Sequence, residues 1–493
     1  MIRTKVVATM GPASSEPDIL TRMIEEGLDV CRLNFSHGEL PEHEKILNVI
    51  RGVADNCRQT VAILGDLGGP KIRLGKIEDV DGTGGMPLGV GDVLHFVREP
   101  IVGRNLRVST TYPHFADDVK IGDRILIEDG LIRCVAIDKN ANEVLATCTS
   151  GGVLKTAKGI NLPNTSVSIP SITDRDWQCV QWAIEHDLDF LALSFVRRPE
   201  DLTQLREHLR AKGSAIDLIA KIEKSEALSR IDEIIDVSDG LMIARGDLGV
   251  EMDLAQVPII QKDLIRRCQC AGKPVIVATQ MLQSMIEQSS PTRAEVSDVA
   301  NAIFDGADAI MLSGETSVGK YPVATVHVMN HVADVTEEYL IAHSSETQPV
   351  LRLRTLQLSA AVARGVWQIV RELKVKLLAV WSQTGTTARI FSKYRFPIPI
   401  IAFSSDPGAL RQMTINFGVI PAEMHAPTDI TALIMQVDAF VREKQLAAEL
   451  DRIVIIAGSA LGTPGTMDGI IIHTVGRLPV AVERGQIGEL ETT

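Results

Sequence analysis

Eight short, apolar, β-prone segments separated by helix-length stretches constrain this chain more than any other feature. They read TKVVATM, VCRLNF, VAILGDL, FLALSFV, DLIAKIE, GLMIARG, PVIVATQ and AIMLSGE, and they fall within residues 4–70 and 171–340. Parallel neighbours need a crossover between them, so this alternation predicts a parallel sheet covered by helices. Eight such units are the number that closes a (β/α)8 barrel, whose chemistry gathers at the C-terminal strand ends. The residues at those ends are polar: Arg32 and Asn34, Asp66, Ser194, Lys221 and Glu223, Arg245 and Asp247, Thr279, and Ser313 and Glu315. An open doubly wound sheet would alternate similarly, but it would not need polar residues at end after end.

From about residue 71 to 168 the texture changes to short β-prone runs split by glycine-rich turns, such as VDGTGGMPLGVGDVLHF and RILIEDGLIRCVAI. This reads as a small all-β domain inserted after the third barrel strand. From about 345 a new α/β alternation begins, with strands near LLAVWS, IPIIAFS and RIVIIAG, reached through the polar linker AHSSETQPV. The expected organisation is a barrel from 1–70 and 169–344, an inserted β domain at 71–168 and a C-terminal α/β domain at 345–493. At roughly 150 residues per domain, with more for a barrel, 493 residues have room for it.

Composition excludes more than it assigns. Hydrophobic residues at 45% and charged residues at 23% are globular values, which rules out a disordered or fibrous chain. The net charge of -13 opposes nucleic acid and anionic membrane surfaces, although cations gathered in a site still receive an anionic substrate. No run of about 18 apolar residues occurs. The opening MIRTKVVATMGP has the pattern of a strand rather than a secretion signal, so the expected location is the cytoplasm. Seven cysteines make an odd count with no paired zinc spacing, and Cys268 and Cys270 read as helix packing.

In DLIAKIEKSE, Lys221 and Glu223 stand two apart, so on a strand their side chains share a face, and Asp247 closes the following strand in ARGDLGVE. A lysine and two carboxylates converging at a barrel mouth suit a hard cation beside a developing anion. With no His or Cys in these segments, the oxygen ligands favour Mg²⁺ or Mn²⁺ over zinc. A self-satisfying charge cluster explains each residue singly, but explains three at adjacent strand ends less well. Gly246 and Asp247 fall where the sixth strand turns into a helix, and backbone N–H groups there suit a carboxylate or phosphate; an ordinary strand-to-helix turn is the alternative. Arg32 and Arg73 follow strands two and three, and a guanidinium fork suits phosphate, though an isolated arginine is usually a surface charge.

Taken in order, TKVVATMGPAS, VCRLNFSHG, GDLGGPKIRLG, ILIEDG, KGINLP, FLALSFVR, IAKIE, MIARGDLGVE, KPVIVATQMLQSM and PTRAEVSDVANAIFDGADAIMLSGETSVGKYP closely resemble the pyruvate kinase family from residue 3 to about 320, with a looser likeness beyond. The resemblance implies phosphoryl transfer from phosphoenolpyruvate to ADP, giving pyruvate and ATP, by a homotetramer. It implies that Lys221 neutralises the transferring group, Glu223 and Asp247 hold Mg²⁺, and Arg32 grips the substrate phosphate. Gly246 and Asp247 would border the substrate, Thr279 would lie where the enolate is protonated, and Ser313 and Glu315 would belong to the surrounding proton network. Phosphoryl transfer depends mainly on positioning and charge neutralisation, so these are the parts it calls for. On the nucleotide side the likeness implies Asn34, Phe35, Ser36, His37 and Arg73, with Lys158 and Asp129 brought by the insert as a lid that excludes water. In WSQTGTTAR, Ser382, Thr384, Gly385, Thr386 and Thr387 precede a helix and combine hydroxyls with backbone N–H groups; the family places a phosphorylated activator there, and a capped helix start without ligand is the alternative.

Two departures limit the likeness. Many family members carry Asp-Thr-Lys-Gly-Pro-Glu where this chain has Asp66, Leu67, Gly68, Gly69, Pro70 and Lys71. A K⁺ site of Asn34, Ser36, Asp66 and the Leu67 carbonyl would then have the Lys71 ammonium beside it, so no K⁺ requirement is expected. The stretch AGSALGTPGTMDGIIIH matches the family's effector loop loosely and lacks its Thr-Asn ending, so fructose bisphosphate is not implied as the activator. A barrel lyase or aldolase handling a pyruvate enolate would share the carboxylate pair and the arginine but has no use for the insert. A scaffold with a dead site would have lost Lys221, Glu223 or Asp247.

Overall fold

The computed structural model describes residues 2–79, 82, 84–163, 165–343, 357–458, 461 and 467–477, which fall into two compact units, one ending at His343 and one after it. In the first, β1 (Lys5–Thr9), β2 (Val30–Asn34), β3 (Ala62–Asp66), β4 (Phe190–Leu193), β5 (Asp217–Ile222), β6 (Gly240–Ala244), β7 (Val275–Ala278) and β8 (Ala309–Leu312) form a closed barrel. Every strand lies parallel to its neighbours in sequence, and β8 closes onto β1 from Lys5↔Ala309 to Ala8↔Leu312. All eight expected strands are present. Runs such as KVVAT and GLMIA are buried throughout because one face meets the helices and the other fills the barrel. Thr173 and Thr292 start two of the covering helices with capping boxes, accepting the N–H groups of Asp176 and Glu295.

Between β3 and β4 the chain builds a six-stranded sheet in the spatial order Ile160–Asn161, Arg124–Ile127, Ile132–Lys139, Glu143–Ser150, Val93–Val97 and Arg107–Ser109, with a ribbon of Met86–Leu88 and Gly152–Leu154. Its strands alternate inward and outward, and Leu94, Phe96, Ile125, Val144 and Ala146 fill its own core. This insert belongs to the same compact unit as the barrel.

The linker AHSSETQPV lies, from Ser344 onward, outside the described residues. In the second unit a five-stranded sheet runs Val419–Glu423, Ile400–Ser404, Leu378–Trp381, Arg452–Gly458 and Met467–Thr474, antiparallel only at the last. The three central strands are the ones expected. The two edges differ in kind: Val419–Glu423 contains Pro421, which a strand tolerates at an edge, and Met467–Thr474 turns the end of the expected effector loop into a hairpin partner. Residues 459–460 and 462–466 of that loop lie outside the described residues. No described helix is long and apolar enough to cross a membrane.

Candidate active site

Asp66, the last residue of β3, is the pivot of the barrel mouth. Its Oδ2 accepts from Arg32 Nε at 2.7 Å and pairs with Arg32 Nη2 at 2.6 Å, while its Oδ1 lies 3.0 Å from Lys221 Nζ. Arg32 Nη1 donates to Thr9 Oγ1 at 2.7 Å. Lys221 Nζ also reaches Ser194 Oγ at 2.7 Å and Glu223 Oε1 at 3.0 Å, so three protons face three oxygens. Burial alone would push the Lys221 ammonium down, but Asp66 and Glu223 outweigh it and hold it at about 12. Burial also works to raise Asp66, and there Lys221 and Arg32 prevail, keeping the carboxyl below its ordinary range.

Glu223 Oε2 accepts the Phe195 N–H at 2.8 Å. The Asp247 carboxylate makes no hydrogen bond or ion pair among the described residues. Burial raises both carboxyls: at Glu223 it prevails over Lys221 with help from Asp247, and at Asp247 it prevails over Lys221 and Lys71 with help from Asp129 and Asp66. Two poorly compensated carboxylates with lone pairs to spare fit a hard divalent cation that takes its other ligands from water and substrate. Among the described residues no group of three or more His, Cys, Asp or Glu side chains forms a closed metal cage.

Thr279, just past β7, has φ +70°, and Gln280 has φ +55°, a left-handed pair that a β-branched residue rarely enters. Thr279 Oγ1 donates to Ala278 O at 2.6 Å and accepts the Gly246 N–H at 2.8 Å. The Gly246 N–H, expected to suit a carboxylate or phosphate, is thus bonded to the threonine hydroxyl in this structure. Arg245 holds the turn, with Nη2 donating to Thr279 O at 2.9 Å and Nη1 pairing with Asp298 at 2.7 Å. Glu315 is fully enclosed, and its oxygens accept the N–H groups of Leu282 (3.1 Å) and Ser313 (2.7 Å), so it ties together the loops after β7 and β8.

A cleft of about 620 Å³ is lined by Phe35, Ser36, His37, Lys71, Arg73 and Arg175, among others, which include four of the residues expected to meet a nucleotide. The Phe35 ring is buried edge-on against His43 and Trp182, with centroids at 5.1 and 5.6 Å, so it supplies the floor of the cleft. Asn34 Oδ1 accepts the Ser36 N–H at 3.2 Å, and the Leu67 carbonyl accepts the Ser194 hydroxyl at 2.6 Å. Lys158 pairs with Glu128 Oε1 of its own domain at 2.5 Å. Asp129, at φ +51°, lines a second cavity with Lys71, Lys224 and Asp247, so Lys71 borders both spaces. Sequence reasoning missed Thr9 and Arg245 as partners; the signal for Thr9 was a hydroxyl closing an otherwise apolar strand.

In the second unit Gly385 takes φ +74° at the start of the helix Thr386–Ser392, and a Cβ there would come within 2.9 Å of Met413 Cγ, so only glycine fits. The Thr384 and Thr386 hydroxyls lie 3.1 Å apart, Ser382 is buried and Thr387 half-buried.

Residues 1–326 match the family described as pyruvate kinase, barrel domain, and residues 360–473 match pyruvate kinase, alpha/beta domain. The chain is 42% identical over 484 residues to a pyruvate kinase of Geobacillus stearothermophilus, covering 97% of this chain and 81% of that one. It is 38% identical to a pyruvate kinase of Mycobacterium intracellulare, covering 96% and 98%. A crystal structure of a pyruvate kinase from Cryptosporidium parvum superposes with a TM-score of 0.87 at 34% identity, covering 96% of each chain.

Proposed function

Since the chain belongs to the pyruvate kinase family, we propose that the polar cluster at the barrel mouth performs the family's reaction and that Lys221 is the group on which transfer turns. The enzyme transfers the phosphoryl group of phosphoenolpyruvate to ADP, giving pyruvate and ATP. The observation that supports the assignment of roles is the Lys221 ammonium, saturated by three oxygens next to an unpaired Asp247.

In transfer, the bond from phosphorus to the enol oxygen breaks as one to the ADP phosphate forms, and the enolate left behind takes a proton at carbon. Lys221 exchanges one acceptor for a phosphoryl oxygen, and Asp66 and Glu223 keep it charged throughout. Arg32, oriented by Asp66 and Thr9, has two of its five N–H groups left for the substrate phosphate. Thr279 Oγ1 stands on the proton side, oriented by Ala278 and Gly246. Glu223 and Asp247 would hold Mg²⁺ or Mn²⁺, which when bound supplies further neutralisation of phosphate charge. Residues 71–168 act as a lid between the barrel segments 1–70 and 169–344, and Lys158 reaches the nucleotide once it leaves Glu128. Residues 345–493 form the regulatory domain, and a homotetramer working in the cytoplasm completes the proposal.

Pyruvate release from phosphoenolpyruvate, measured with and without ADP, tests the reaction. ADP-dependent release is expected, and release indifferent to ADP would favour the lyase alternative. Glu223→Gln and Asp247→Asn should each raise the Mg²⁺ activation constant by about tenfold or more. Because burial raises both carboxyls, protons compete with the cation as pH falls through that raised range, and the activation constant climbs about tenfold per pH unit for each proton displaced. Activation curves between about pH 8 and pH 5.5 read this directly, and a constant unchanged in both variants would move the metal elsewhere.

Regulation offers a separate test. Thr384→Glu and Thr386→Glu should abolish activation by sugar phosphates or nucleotides while leaving the basal rate unchanged, because added carboxylates repel a phosphate. Activation that survives in both variants would place the effector site elsewhere.

A further inference from the structure

Outside the reacting centre, one buried carboxylate joins the insert to the barrel. Glu251 ends the helix Arg245–Glu251 that carries Asp247, and it is only 2% exposed. Its Oε1 accepts from Lys224 Nζ at 2.6 Å and from Asn161 Nδ2 at 3.2 Å. Lys224 follows Glu223 on the barrel, whereas Asn161 lies on Ile160–Asn161, the edge strand of the insert sheet that begins just after Lys158. Glu251 thus holds a barrel cation and an insert amide with a single oxygen. Its Oε2 is enclosed without a hydrogen-bond partner among the described residues. An empty buried acceptor is costly, so a carboxylate serving only to hold the fold would be expected to use both oxygens.

A second tie is of a different kind. Arg197 donates to the main-chain carbonyls of Val167 (2.5 Å) and Ile169 (2.9 Å) and to Ser171 Oγ (2.9 Å), anchoring the backbone where the insert returns to the barrel. The Glu251 contact is made by side chains alone, so it releases without unthreading any backbone.

We propose that Lys224, Glu251 and Asn161 form a latch that fixes the strand Ile160–Asn161, and with it Lys158, at working distance from the barrel mouth, with Oε2 receiving a further donor as the insert tightens. The three are positioning residues, since none touches the reacting atoms. The proposal rests on the insert being the cover of the site. A loosened latch admits water to the phosphoryl group and weakens nucleotide capture while leaving Lys221, Arg32 and Thr279 in place.

The full-length wild type is compared with Asn161→Leu, Lys224→Met, their double variant and Lys224→Arg, measuring pyruvate release with ADP varied, pyruvate release without ADP, and the thermal midpoint. Each of the first two variants should raise the KM for ADP and the ADP-independent share of pyruvate by about tenfold, with kcat within about threefold of wild type. The double variant should be no worse than the worse single one, as members of one contact are not additive, and Lys224→Arg should restore wild-type values. A lower thermal midpoint with unchanged KM and unchanged ADP-independent share would make the cluster purely structural and overturn the latch, as would additive effects. Asn161 is half-buried at the insert edge, so its variant decides the matter even if Lys224→Met does not fold. Absence of ADP-dependent release in the wild type would instead overturn the reaction itself, a separate outcome.

Discussion

Lys221→Met lowers kcat for phosphoryl transfer by about 10² to 10³, the loss that follows removal of a preorganised electrostatic stabiliser. The same change should also weaken the fold, because Lys221 pairs with two buried carboxylates, Asp66 and Glu223. Removing one member of a buried ion pair costs about 3–5 kcal/mol when the other stays charged. Here the loss is smaller than that ceiling: Asp66 keeps Arg32 at 2.6 Å, and Glu223 has a carboxyl already raised by burial, so it relieves the strain by taking a proton. The sign follows. A carboxyl whose folded value lies above its unfolded one destabilises the fold above that unfolded value, and the penalty shrinks as pH falls through the folded value. The thermal midpoint of Lys221→Met should therefore lie furthest below wild type at neutral pH and approach it in mild acid. Mn²⁺ binding should persist, since Asp247 and Glu223 remain. A variant that keeps half the wild-type kcat would remove Lys221 from the mechanism.

The barrel was legible because its strands are buried on both faces, so GLMIA and AIML stand out as unbroken apolar runs, and because each ends in a polar residue. Lys221 and Glu223 were placed correctly on one face by strand periodicity alone. What the sequence withheld depends on contacts between segments distant along the chain. That Asp66 serves both Arg32 and Lys221 follows from β2, β3 and β5 converging at one mouth, which no local pattern encodes. The capture of the Gly246 N–H by Thr279 depends on a left-handed turn after β7 that a threonine does not advertise. Phe35, in a motif that suggested ligand contact, spends its ring on Trp182 and His43, since an aromatic side chain beside an apolar core gains more from burial than from solvent. The two edge strands of the second unit were missed for related reasons: Pro421 masks one, and glycine-rich surroundings mask the other.

The wild type is expected to be indifferent to K⁺, and Lys71→Glu is expected to need it. Three of the four groups that would surround a monovalent cation already have partners: both oxygens of Asp66 bind Arg32 and Lys221, the Leu67 carbonyl binds Ser194, and Asn34 Oδ1 binds the Ser36 N–H. Lys71 lines the 620 Å³ cleft with Ser36 and the adjoining cavity with Asp129 and Asp247, and its charge works to lower the Asp247 carboxyl. An ammonium on a flexible stem between these groups would supply the positive charge that K⁺ brings elsewhere, and a second cation a few ångströms away would be repelled. With glutamate at this position the local charge changes by two, leaving Asp129, Asp247 and the new carboxylate with Lys221 and Lys224 as their remaining nearby cations. Rates in K⁺-free buffer, matched for ionic strength with a bulky organic cation, separate the cases. Wild-type kcat and the KM for phosphoenolpyruvate should change less than about twofold on adding K⁺, whereas Lys71→Glu should be nearly inactive until K⁺ raises its rate by about tenfold or more. A solvated surface lysine would make the two proteins behave alike. A tenfold K⁺ response in the wild type, on the order expected for a working ion site, would refute the substitution outright.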